Sequence, residues 1–498
     1  MIQQLPALIV VLPLVISFLV FFSGWWLKRA GYPLVIAAMT GCFLISLGIL
    51  KSVIVSGNVQ YRLGGWPPPW GIEYVIDSLS AFMLVLVSFL GLLTAVYARK
   101  NVEAELPEKK TLFWTLFLLL LTGLLGIIAT GDMFNLFVLL EVASLTGYAL
   151  IAMGEKNAVY ASFRYLIFGT IGASFYLLGV GYLYIATGSL NMADLSQLLP
   201  GLFPSKTIIA GFAFILIGLS VKMALFPLHG WLPEAYTNAS SAVSTVVAPL
   251  TTKVMAYVVV RIMVSVFGFE FAISQLRVTD VMVWAGTLAI VFGAVMALSQ
   301  TDFKRMLSYV IVAEIGFIMG GIGVANATAL KGAIFHIAND AVMVACLFMV
   351  AGLVAFRKKE HRIADFQGIF RTTPVTAFVF TVGALAVIGV PPTCGFFSKW
   401  YLLLGGIQAG QWGFVTALLV CTLINIALFF RIFDKGLYNH ATESGTAETG
   451  SSDQLPAVKE PTSMLVPAVM LALAILLIGF FNQVIVNEVI LHALPSGL

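Results

Sequence analysis

Charged side chains are scarce in this sequence, and their scarcity excludes a soluble globular protein. Asp, Glu, Lys and Arg make up 10% of the 498 residues, whereas hydrophobic residues make up 60%. An ordinary soluble domain carries roughly 25% charged residues. Stretches of ~20 apolar residues recur along the chain, and each can cross the ~30 Å hydrocarbon core as a helix that satisfies its own backbone hydrogen bonds. The sequence therefore indicates an integral membrane protein.

Cysteine is also rare. The four cysteines, Cys42, Cys346, Cys394 and Cys421, lie in apolar runs and lack the close Cys/His spacing of a zinc or iron–sulfur site. The sequence has no flavin- or nucleotide-binding motif, and its Lys and Arg residues form no dense stripe of the kind that binds nucleic acid. We expect no cofactor, no metal and no nucleic-acid partner, and we interpret the cysteines as packing residues.

The apolar runs predict an all-α membrane protein of about fourteen transmembrane helices. The boundaries are uncertain by several residues. The predicted spans are 5–27, 32–50, 77–97, 112–130, 134–153, 162–187, 206–226, 244–267, 280–299, 306–324, 330–356, 372–404, 411–432 and 463–483.

Basic residues concentrate in the odd-numbered loops between these spans, for example at Lys28-Arg29, Arg99-Lys100 and Lys304-Arg305. Because basic loops stay in the cytoplasm, we expect both termini on the non-cytoplasmic side. Residues 440–462 are rich in Ser, Thr, Glu and Gly and cannot bury enough apolar surface to fold alone. We predict a flexible cytoplasmic linker there.

Prolines interrupt two of the predicted spans. The seventh, SVKMALFPLHGWLP, carries Lys222 before Pro227, and the twelfth, VIGVPPTCGFFSKWYLL, carries Pro391-Pro392 before Lys399. Broken helices with a polar residue, five spans apart, are typical of transporters built from inverted repeats. The alternative is that proline only kinks a packed helix, which is common in membranes.

This pattern predicts a division of the chain into five parts. They are an N-terminal three-helix region with a cytoplasmic loop (1–110), a first five-helix repeat (111–267), a second five-helix repeat (280–432), the linker (440–462) and a final transmembrane helix (463–483).

Two charged residues in the first repeat call for a partner. Glu141 lies about two turns inside the fifth span, and Lys222 lies in the seventh span before the proline. A charge at the bilayer centre costs ~2.5–3.5 kcal/mol on insertion scales, so an unpaired one is unfavourable. We expect the two to pair, with their separation controlling the proton on the lysine. The alternative is a static ion pair that only joins two helices.

The charged line continues through the eighth and eleventh spans. Lys253 has no acid nearby in sequence, whereas His336 and Asp340 are four residues apart and share one helix face. We expect the Asp340 carboxylate to hold the His336 imidazole as a proton relay. The alternative is a buried histidine that bonds only to backbone.

Three further residues are candidates for the same relay. Lys399 lies in the broken twelfth span, although its long stem could instead reach toward an interface. His229 follows Pro227 and is either a relay or a cap for freed backbone groups. Glu314 is in the middle of the tenth span, facing a side that the sequence does not determine. We interpret Asp77 and Asp132, at span edges, as end anchors, and Arg164 and Arg261 as anchors or lipid contacts.

Several motifs together resemble the antiporter-like proton-translocating subunits. They are KMALFPLHGWLPEAYTNASSAVS (222–244), TTKVMAYVVVR (251–261), QTDFKRMLSY (300–309) and GVPPTCGFFSKW (389–400). The family includes the L, M and N subunits of complex I, membrane-bound hydrogenase subunits, and the A-type and D-type subunits of the Mrp sodium/proton antiporter. GGWPPPWGIEYVID (64–77) is most similar to the D-type members.

This resemblance implies a role for four of the residues named above. Glu141 and Lys222 correspond to the family's charged pair, Lys253 to its connecting lysine and Lys399 to its terminal residue. The resemblance also implies two inverted five-helix repeats.

The sequence departs from the family pattern mainly in its second half. Val344 stands where the family often carries a lysine, Asp340 where histidine is common, and Val310-Ile311 with Glu314 where a Ser-Ser-x-x-Gln stretch is usual. Ala239-Ser240 replaces an alanine-proline at the eighth span. The first half of the path is intact, and Glu314, His336 and Asp340 could supply replacement charges in the second.

These observations predict a proton-translocating subunit of a multisubunit complex in a bacterial or archaeal cytoplasmic membrane. Its relay would run through Glu141, Lys222, Lys253, His336 and Lys399. By resemblance we expect sodium/proton antiport, with protons, sodium and other hydrophobic subunits as partners. Two alternatives remain: a proton-pumping subunit of a redox complex whose redox centres lie in partner chains, and a membrane scaffold that does not transport.

Overall fold

The computed structural model describes residues 4–26, 31–154, 157–269, 271, 278–437 and 460–494. Nearly all of the linker predicted at 440–462 lies outside these residues. The described chain is almost entirely helical, as expected for an all-α membrane protein.

The N-terminal region contains a small β-hairpin that the sequence pattern did not predict. It lies between α2 and α3, with Val59 opposite Ile76 in an antiparallel register. Each strand has only four residues, too few for a clear alternation of apolar and polar positions. The elements are α1 (Leu5–Trp26), α2 (Gly31–Ser56), β1 (Val59–Arg62), β2 (Glu73–Ile76) and α3 (Ser78–Glu105).

Sixteen further α-helices follow in chain order among the described residues. The first group is α4 (Lys110–Ala129), α5 (Met133–Ala152), α6 (Ala158–Thr187), α7 (Met192–Leu198), α8 (Lys206–Lys222), α9 (Leu232–Asn238) and α10 (Ser241–Arg261). The second group is α11 (Val278–Leu298), α12 (Phe303–Gly323), α13 (Ala327–Lys358), α14 (Ile369–Thr372), α15 (Pro374–Ile388), α16 (Cys394–Gln408), α17 (Trp412–Leu437), α18 (Thr462–Phe480) and α19 (Asn482–Ile485).

Twelve helices in the described part of the chain are long and apolar enough to cross a membrane, and α15 is a shorter apolar helix. The two other predicted spans are the seventh and the twelfth, where the sequence predicts broken helices. In the structure each is split: α8 ends at Lys222 and α9 begins at Leu232, while α15 ends at Ile388 and α16 begins at Cys394. Pro227 lies in the first break and Pro391-Pro392 in the second, and a proline lacks the N–H that an uninterrupted helix would use. Proline alone does not decide a break, because α1, α10 and α18 continue through Pro13, Pro249 and Pro467.

Three helices form the centre of the fold. The apolar windows of α10, α12 and α13 are buried within the protein along their whole length, whereas those of α1, α2 and α6 are mostly exposed. Side chains on the three central helices therefore meet other helices rather than lipid. Lys253, Glu314, His336 and Asp340 all lie on these helices.

Helices α6 and α8 approach closely through glycines spaced seven residues apart. A Cβ atom at Gly218 would lie 2.5 Å from the carbonyl oxygen of Gly172, and one at Gly179 would lie 2.6 Å from that of Gly211. In a membrane, small residues drive helix association because they let backbones pack together. This contact fixes the position of the broken end of α8.

We expect Gly218→Val to separate α6 from α8 and to lower the thermal stability of the detergent-extracted protein. Gly181→Val is the matched control, because Gly181 is also on α6 and has no heavy atom within 4 Å of the position that a Cβ would occupy. Size-exclusion profiles and melting temperatures of the two variants measure the effect. Equal melting temperatures would show that the close approach is not needed.

Candidate functional site

Glu141 and Lys222 form an ion pair between α5 and the end of α8. The Lys222 ammonium donates to Glu141 Oε1 at 3.3 Å and to Ser144 Oγ at 2.7 Å, and it lies 3.5 Å from Tyr148 Oη. The three acceptors are spaced by three and four residues and so share one face of α5. Lys222 is buried, whereas the Glu141 side chain is 27% exposed at the protein surface. The contact expected from the sequence is present, and its role in transport stays a prediction.

Aromatic packing holds the broken end of α8 in place. Trp231 Nε1 donates to the Val221 carbonyl at 3.0 Å, and the same carbonyl accepts the Ala224 N–H at 3.1 Å where the helix ends. The Trp231 ring stacks on Tyr165 with 4.1 Å between centroids, and Tyr165 meets Tyr148 edge-on at 4.5 Å. The indole hydrogen bond and the packed tyrosine rings therefore hold the end of α8, and with it Lys222, in position.

A small cavity separates Lys222 from α10. The cavity volume open to the centre of a water molecule is about 20 Å³. Its lining includes Ser144, Tyr165, Thr251 and Met255. A cavity of ~10–15 Å³ measured in this way can hold one water, provided that polar partners are available. Lys222, Ser144 and Thr251 supply such partners. The cavity has room for a water between the first ion pair and the helix that carries Lys253.

Lys253 pairs with Asp340 rather than standing alone. The Lys253 ammonium lies 2.8 Å from Asp340 Oδ2, and both side chains are almost completely buried. The pair joins α10 to α13 at the centre of the protein. Sequence spacing gave no sign of it, because the two residues are far apart along the chain and meet only when these helices pack.

The predicted contact between His336 and Asp340 is wrong. His336 Nε2 lies 2.5 Å from Glu314 Oε2, and its Nδ1 lies 2.9 Å from Ser398 Oγ, so the imidazole faces α12 and α16. Asp340 faces Lys253 on α10 instead. Residues four apart on a helix are near one another, but each here finds a better partner on a neighbouring helix. Both ring nitrogens of His336 are occupied by side chains.

Glu314 lies at the centre of the second cluster, although the sequence made it only a secondary candidate. Its Oε1 accepts a hydrogen bond from the Lys399 ammonium at 3.2 Å, and its Oε2 meets His336. Lys399 also donates to the Val387 carbonyl at 2.5 Å, at the end of α15, and lies 4.7 Å from the centre of the Phe317 ring. The ammonium thus faces the protein interior and does not extend toward an interface.

The second cluster mirrors the first. In each, a glutamate on an unbroken helix pairs with a lysine beside a helix break, Glu141 with Lys222 and Glu314 with Lys399. In each, a side chain also donates to a carbonyl in the last turn of the helix before the break: Trp231 to Val221, and Lys399 itself to Val387.

His229 lies in the first break, between aromatic rings. Its ring centroid is 5.4 Å from that of Phe226 and 4.9 Å from that of Phe292. Arg164 reaches the same segment and donates to the Gly230 carbonyl at 3.4 Å, and its role as an anchor or lipid contact stays a prediction. The position of His229 fits either of the roles that the sequence left open.

Two of the residues interpreted as separate anchors form an ion pair. Arg261 at the end of α10 pairs with Asp77, whose carboxylate also accepts the Ser80 N–H at the start of α3. Asp132 caps α5 by accepting the Asn135 N–H at 2.7 Å, as an end anchor would. The sequence offered no signal for the first pair, since its members are on different helices.

The charged groups thus form three clusters across six helices. They run from α5 and α8 through α10 and α13 to α12 and α16. Within the residues that the structure describes, no group of three or more His, Cys, Asp or Glu side chains is arranged to hold a metal ion. The arrangement is suited to moving charge between neighbouring acids and bases.

Comparison with known proteins identifies the family. The family described as "NADH:quinone oxidoreductase/Mrp antiporter, TM" matches residues 130–425. The chain is 43% identical to the N subunit of the NADH-quinone oxidoreductase of Desulforudis audaxviator over the full length of both proteins. It is 30% identical to the D-type subunit of the Na(+)/H(+) antiporter of Alkalihalophilus pseudofirmus over 95% of this chain and 94% of that protein.

The fold is also shared with a solved membrane complex. A chain of the membrane-bound sulfane sulfur reductase, an archaeal respiratory membrane complex, superposes with a TM-score of 0.89 and 29% identity over 98% of this chain and 97% of that one. Similar chains are thus subunits of multisubunit membrane complexes, and the resemblance drawn from the motifs is confirmed. This multi-pass membrane protein belongs to the NADH:quinone oxidoreductase/Mrp antiporter transmembrane family.

Proposed function

We propose that this chain carries protons across the membrane, as one subunit of a complex, along the buried line of charged residues. The observation that carries the proposal is that Lys253 and Asp340 pair at the centre of the fold, between the Glu141–Lys222 and Glu314–Lys399 pairs. Burying this many charges is costly, and a purely structural contact could use apolar residues at lower cost. The cost is understandable if the charges take part in transport.

Coupling between neighbours supplies the mechanism. Two unit charges 7 Å apart interact by about 2 kcal/mol at an effective dielectric near 20, which exceeds the 1.36 kcal/mol equivalent to one pKa unit. At such a separation, a proton gained or lost at one group changes proton binding at its neighbour by more than tenfold. His336 carries the change onward, because its two nitrogens contact Glu314 and Ser398. The proton then reaches Lys399.

The two breaks support the division into inverted repeats at 111–267 and 280–432. Lys222 precedes its break, whereas Lys399 follows its break. The two breaks lie five spans apart, and an odd number of spans gives the second unit the opposite orientation in the membrane. We further propose that both termini face the non-cytoplasmic side, which rests on the basic loops alone.

Two energy sources are candidates for driving the proposed proton transport. The 43% identity to a subunit of NADH-quinone oxidoreductase over the whole chain, with the likeness to a respiratory complex, favours a redox-driven proton pump. The sodium/proton antiport expected from the motifs is supported by the 30% identity to a D-type antiporter subunit. We place the redox-driven complex first and antiport second. A scaffold without transport is the third alternative.

Lys222→Ala should abolish proton transport without preventing assembly. The variant removes the group whose proton is handed on, while Glu141 keeps partial access to the protein surface. Proton uptake by proteoliposomes containing the complex measures the loss. Lys51→Ala is the matched control, because Lys51 is exposed at the end of α2 and should not matter. Normal transport in an assembled Lys222→Ala complex would favour the scaffold.

Asp340→Asn should destabilise the protein, because it leaves the Lys253 charge buried without a partner. Breaking a buried pair in this way costs about 3–5 kcal/mol. Lys253→Met combined with Asp340→Asn removes both charges, and we expect it to be more stable than Asp340→Asn alone. Melting temperatures of the single and double variants test the pairing. Simple addition of the two single effects would mean that the side chains are not coupled.

The energy source can be decided on the purified complex. A redox-driven pump should retain partner chains with iron–sulfur absorbance and iron in stoichiometric amounts after extraction in mild detergent. Sodium-dependent proton exchange by a complex without iron would instead support antiport and remove the redox alternative.

A further inference from the structure

The surroundings of His336 determine where protons can sit on its ring. Nε2 lies 2.5 Å from Glu314 Oε2, and Nδ1 lies 2.9 Å from Ser398 Oγ. The Phe317 ring packs edge-on against the imidazole with 5.4 Å between centroids, which helps to hold this orientation. A carboxylate oxygen only accepts hydrogen bonds. The short contact with Glu314 therefore requires a proton between Nε2 and Oε2.

Ser398 can serve His336 either as a donor or as an acceptor. A serine hydroxyl has one hydrogen and two lone pairs, and the hydrogen rotates to suit its surroundings. Ser398 Oγ lies 2.9 Å from His336 Nδ1 and 3.3 Å from the Gly395 carbonyl oxygen. The hydrogen therefore has two acceptors within reach, the ring nitrogen and the carbonyl. Ser398 is 0% exposed, so its hydroxyl must find its partners inside the protein.

Close helix packing fixes the position of Ser398 beside His336. Ser398 lies in the first part of α16, one turn after Gly395. A Cβ atom at Gly395 would lie 2.0 Å from the Ala386 carbonyl oxygen of α15 and 2.9 Å from Met343 Sδ of α13. The start of α16 is thus in contact with α15 and with the helix that carries His336. This contact sets the distance between the serine hydroxyl and the imidazole.

The charges on the helices around His336 determine how many protons its ring holds at rest. On α12 and α16, Glu314 pairs with Lys399 at 3.2 Å; on α10 and α13, Lys253 pairs with Asp340 at 2.8 Å. These acids and bases balance when His336 is neutral. A second proton on the ring would add a buried charge without a counter-ion, which is costly. We therefore assign one proton to the resting ring, at Nε2, with the serine hydroxyl donating to Nδ1.

Passing a proton from His336 to Glu314 requires the other orientation of the hydroxyl. The ring can release its Nε2 proton only when Nδ1 also carries one, because loss of the last proton would leave an imidazole anion. With both nitrogens protonated, Nδ1 donates to Ser398 Oγ, and the serine keeps its own hydrogen and turns it to the Gly395 carbonyl. The Nε2 proton then moves to Oε2. One proton has entered the ring and one has left it, so the ring is neutral again.

We propose that Ser398 is a positioning residue for the proton relay. Its hydroxyl donates to His336 Nδ1 while the ring holds one proton, and it accepts from Nδ1 while the ring holds two. Nδ1 is then bonded in both states, and Nε2 stays directed at Glu314. The inference rests on the proposed function, because His336 needs two states only if it passes protons. It adds a residue to the same line and no second route.

Ser398→Ala should lower proton uptake by roughly tenfold at neutral pH in proteoliposomes containing the complex. The doubly protonated ring loses its acceptor, and hydrogen bonds to charged groups are the ones that contribute most. Uptake should partly recover as the medium is acidified, because a higher proton concentration restores that state. Ser398→Thr keeps a hydroxyl and should retain most of the uptake. A loss in Ser398→Ala that does not depend on pH, with no retention in Ser398→Thr, would show that Ser398 only packs and would overturn the proposal.

Ser88→Ala is the matched control for removal of a buried hydroxyl. Ser88 is also 0% exposed, and its hydroxyl lies 2.9 Å from that of Ser46, between α2 and α3 and outside the charged clusters. Proton uptake and its pH dependence should be unchanged in this variant. Melting temperatures of Ser88→Ala and Ser398→Ala separate a loss of stability from a loss of relay. If Ser88→Ala reproduced the pH-dependent loss, the assignment to Ser398 would fail.

Nitrogen-15 NMR tests the hydrogen bond without measuring transport. In histidine-labelled full-length protein in lipid nanodiscs, the His336 signals are identified by their loss in His336→Gln. The Nδ1 signal should shift in Ser398→Ala toward that of a nitrogen without a hydrogen bond, and it should not move in Ser88→Ala. An unchanged signal in Ser398→Ala would overturn the proposal.

The same variants separate this proposal from the relay on which it rests. If Ser398→Ala keeps full uptake while Lys222→Ala loses it, the relay stands and the role of Ser398 falls. If both variants keep full uptake in assembled complexes, the proposed function fails and this inference fails with it.

Discussion

The burial of charge in a hydrocarbon environment is the constraint on which this structure depends. Each ionisable group inside the membrane must find a partner of opposite charge or a backbone carbonyl, because no water is freely available there. Lys253 meets Asp340, Lys222 meets Glu141, and Lys399 meets Glu314 and the Val387 carbonyl. Every one of these contacts joins different helices, so the charges determine which helices must be neighbours.

The broken helices meet the same constraint in another way. A break frees backbone carbonyls that would otherwise be satisfied within the helix, and such backbone is tolerated at membrane depth only inside protein. At the first break the Trp231 indole donates to the Val221 carbonyl, which also accepts the Ala224 N–H, and at the second the Lys399 ammonium donates to the Val387 carbonyl. A lysine that bonds both to a carboxylate and to a broken helix can respond to a small movement of either. Each break therefore holds its lysine in position and also lets a small helix movement change the contacts of that lysine.

The sequence determined the helices and breaks well, because long apolar runs and internal prolines act locally. It also indicated that Glu141 and Lys222 would meet, since each needed a counter-ion and few were available. It could not reveal the partner of Lys253 or the central place of Glu314, which depend on how α10, α12 and α13 are rotated against one another. The helix spacing of His336 and Asp340 was misleading for the same reason: a neighbour on the same helix lost to groups on facing helices. The hairpin at Val59–Ile76 was missed because its strands are short.

The central claim is that the charged clusters form one connected line, and a double-mutant cycle across its length tests this most directly. Proton uptake would be measured for Glu141→Gln, for Glu314→Gln and for the combined variant in the assembled complex. If the two glutamates act in one series, proton uptake by the double variant should be little lower than uptake by the more impaired single variant. The two losses would then be strongly non-additive. Fully independent, multiplicative losses would contradict a single line and point to two separate paths.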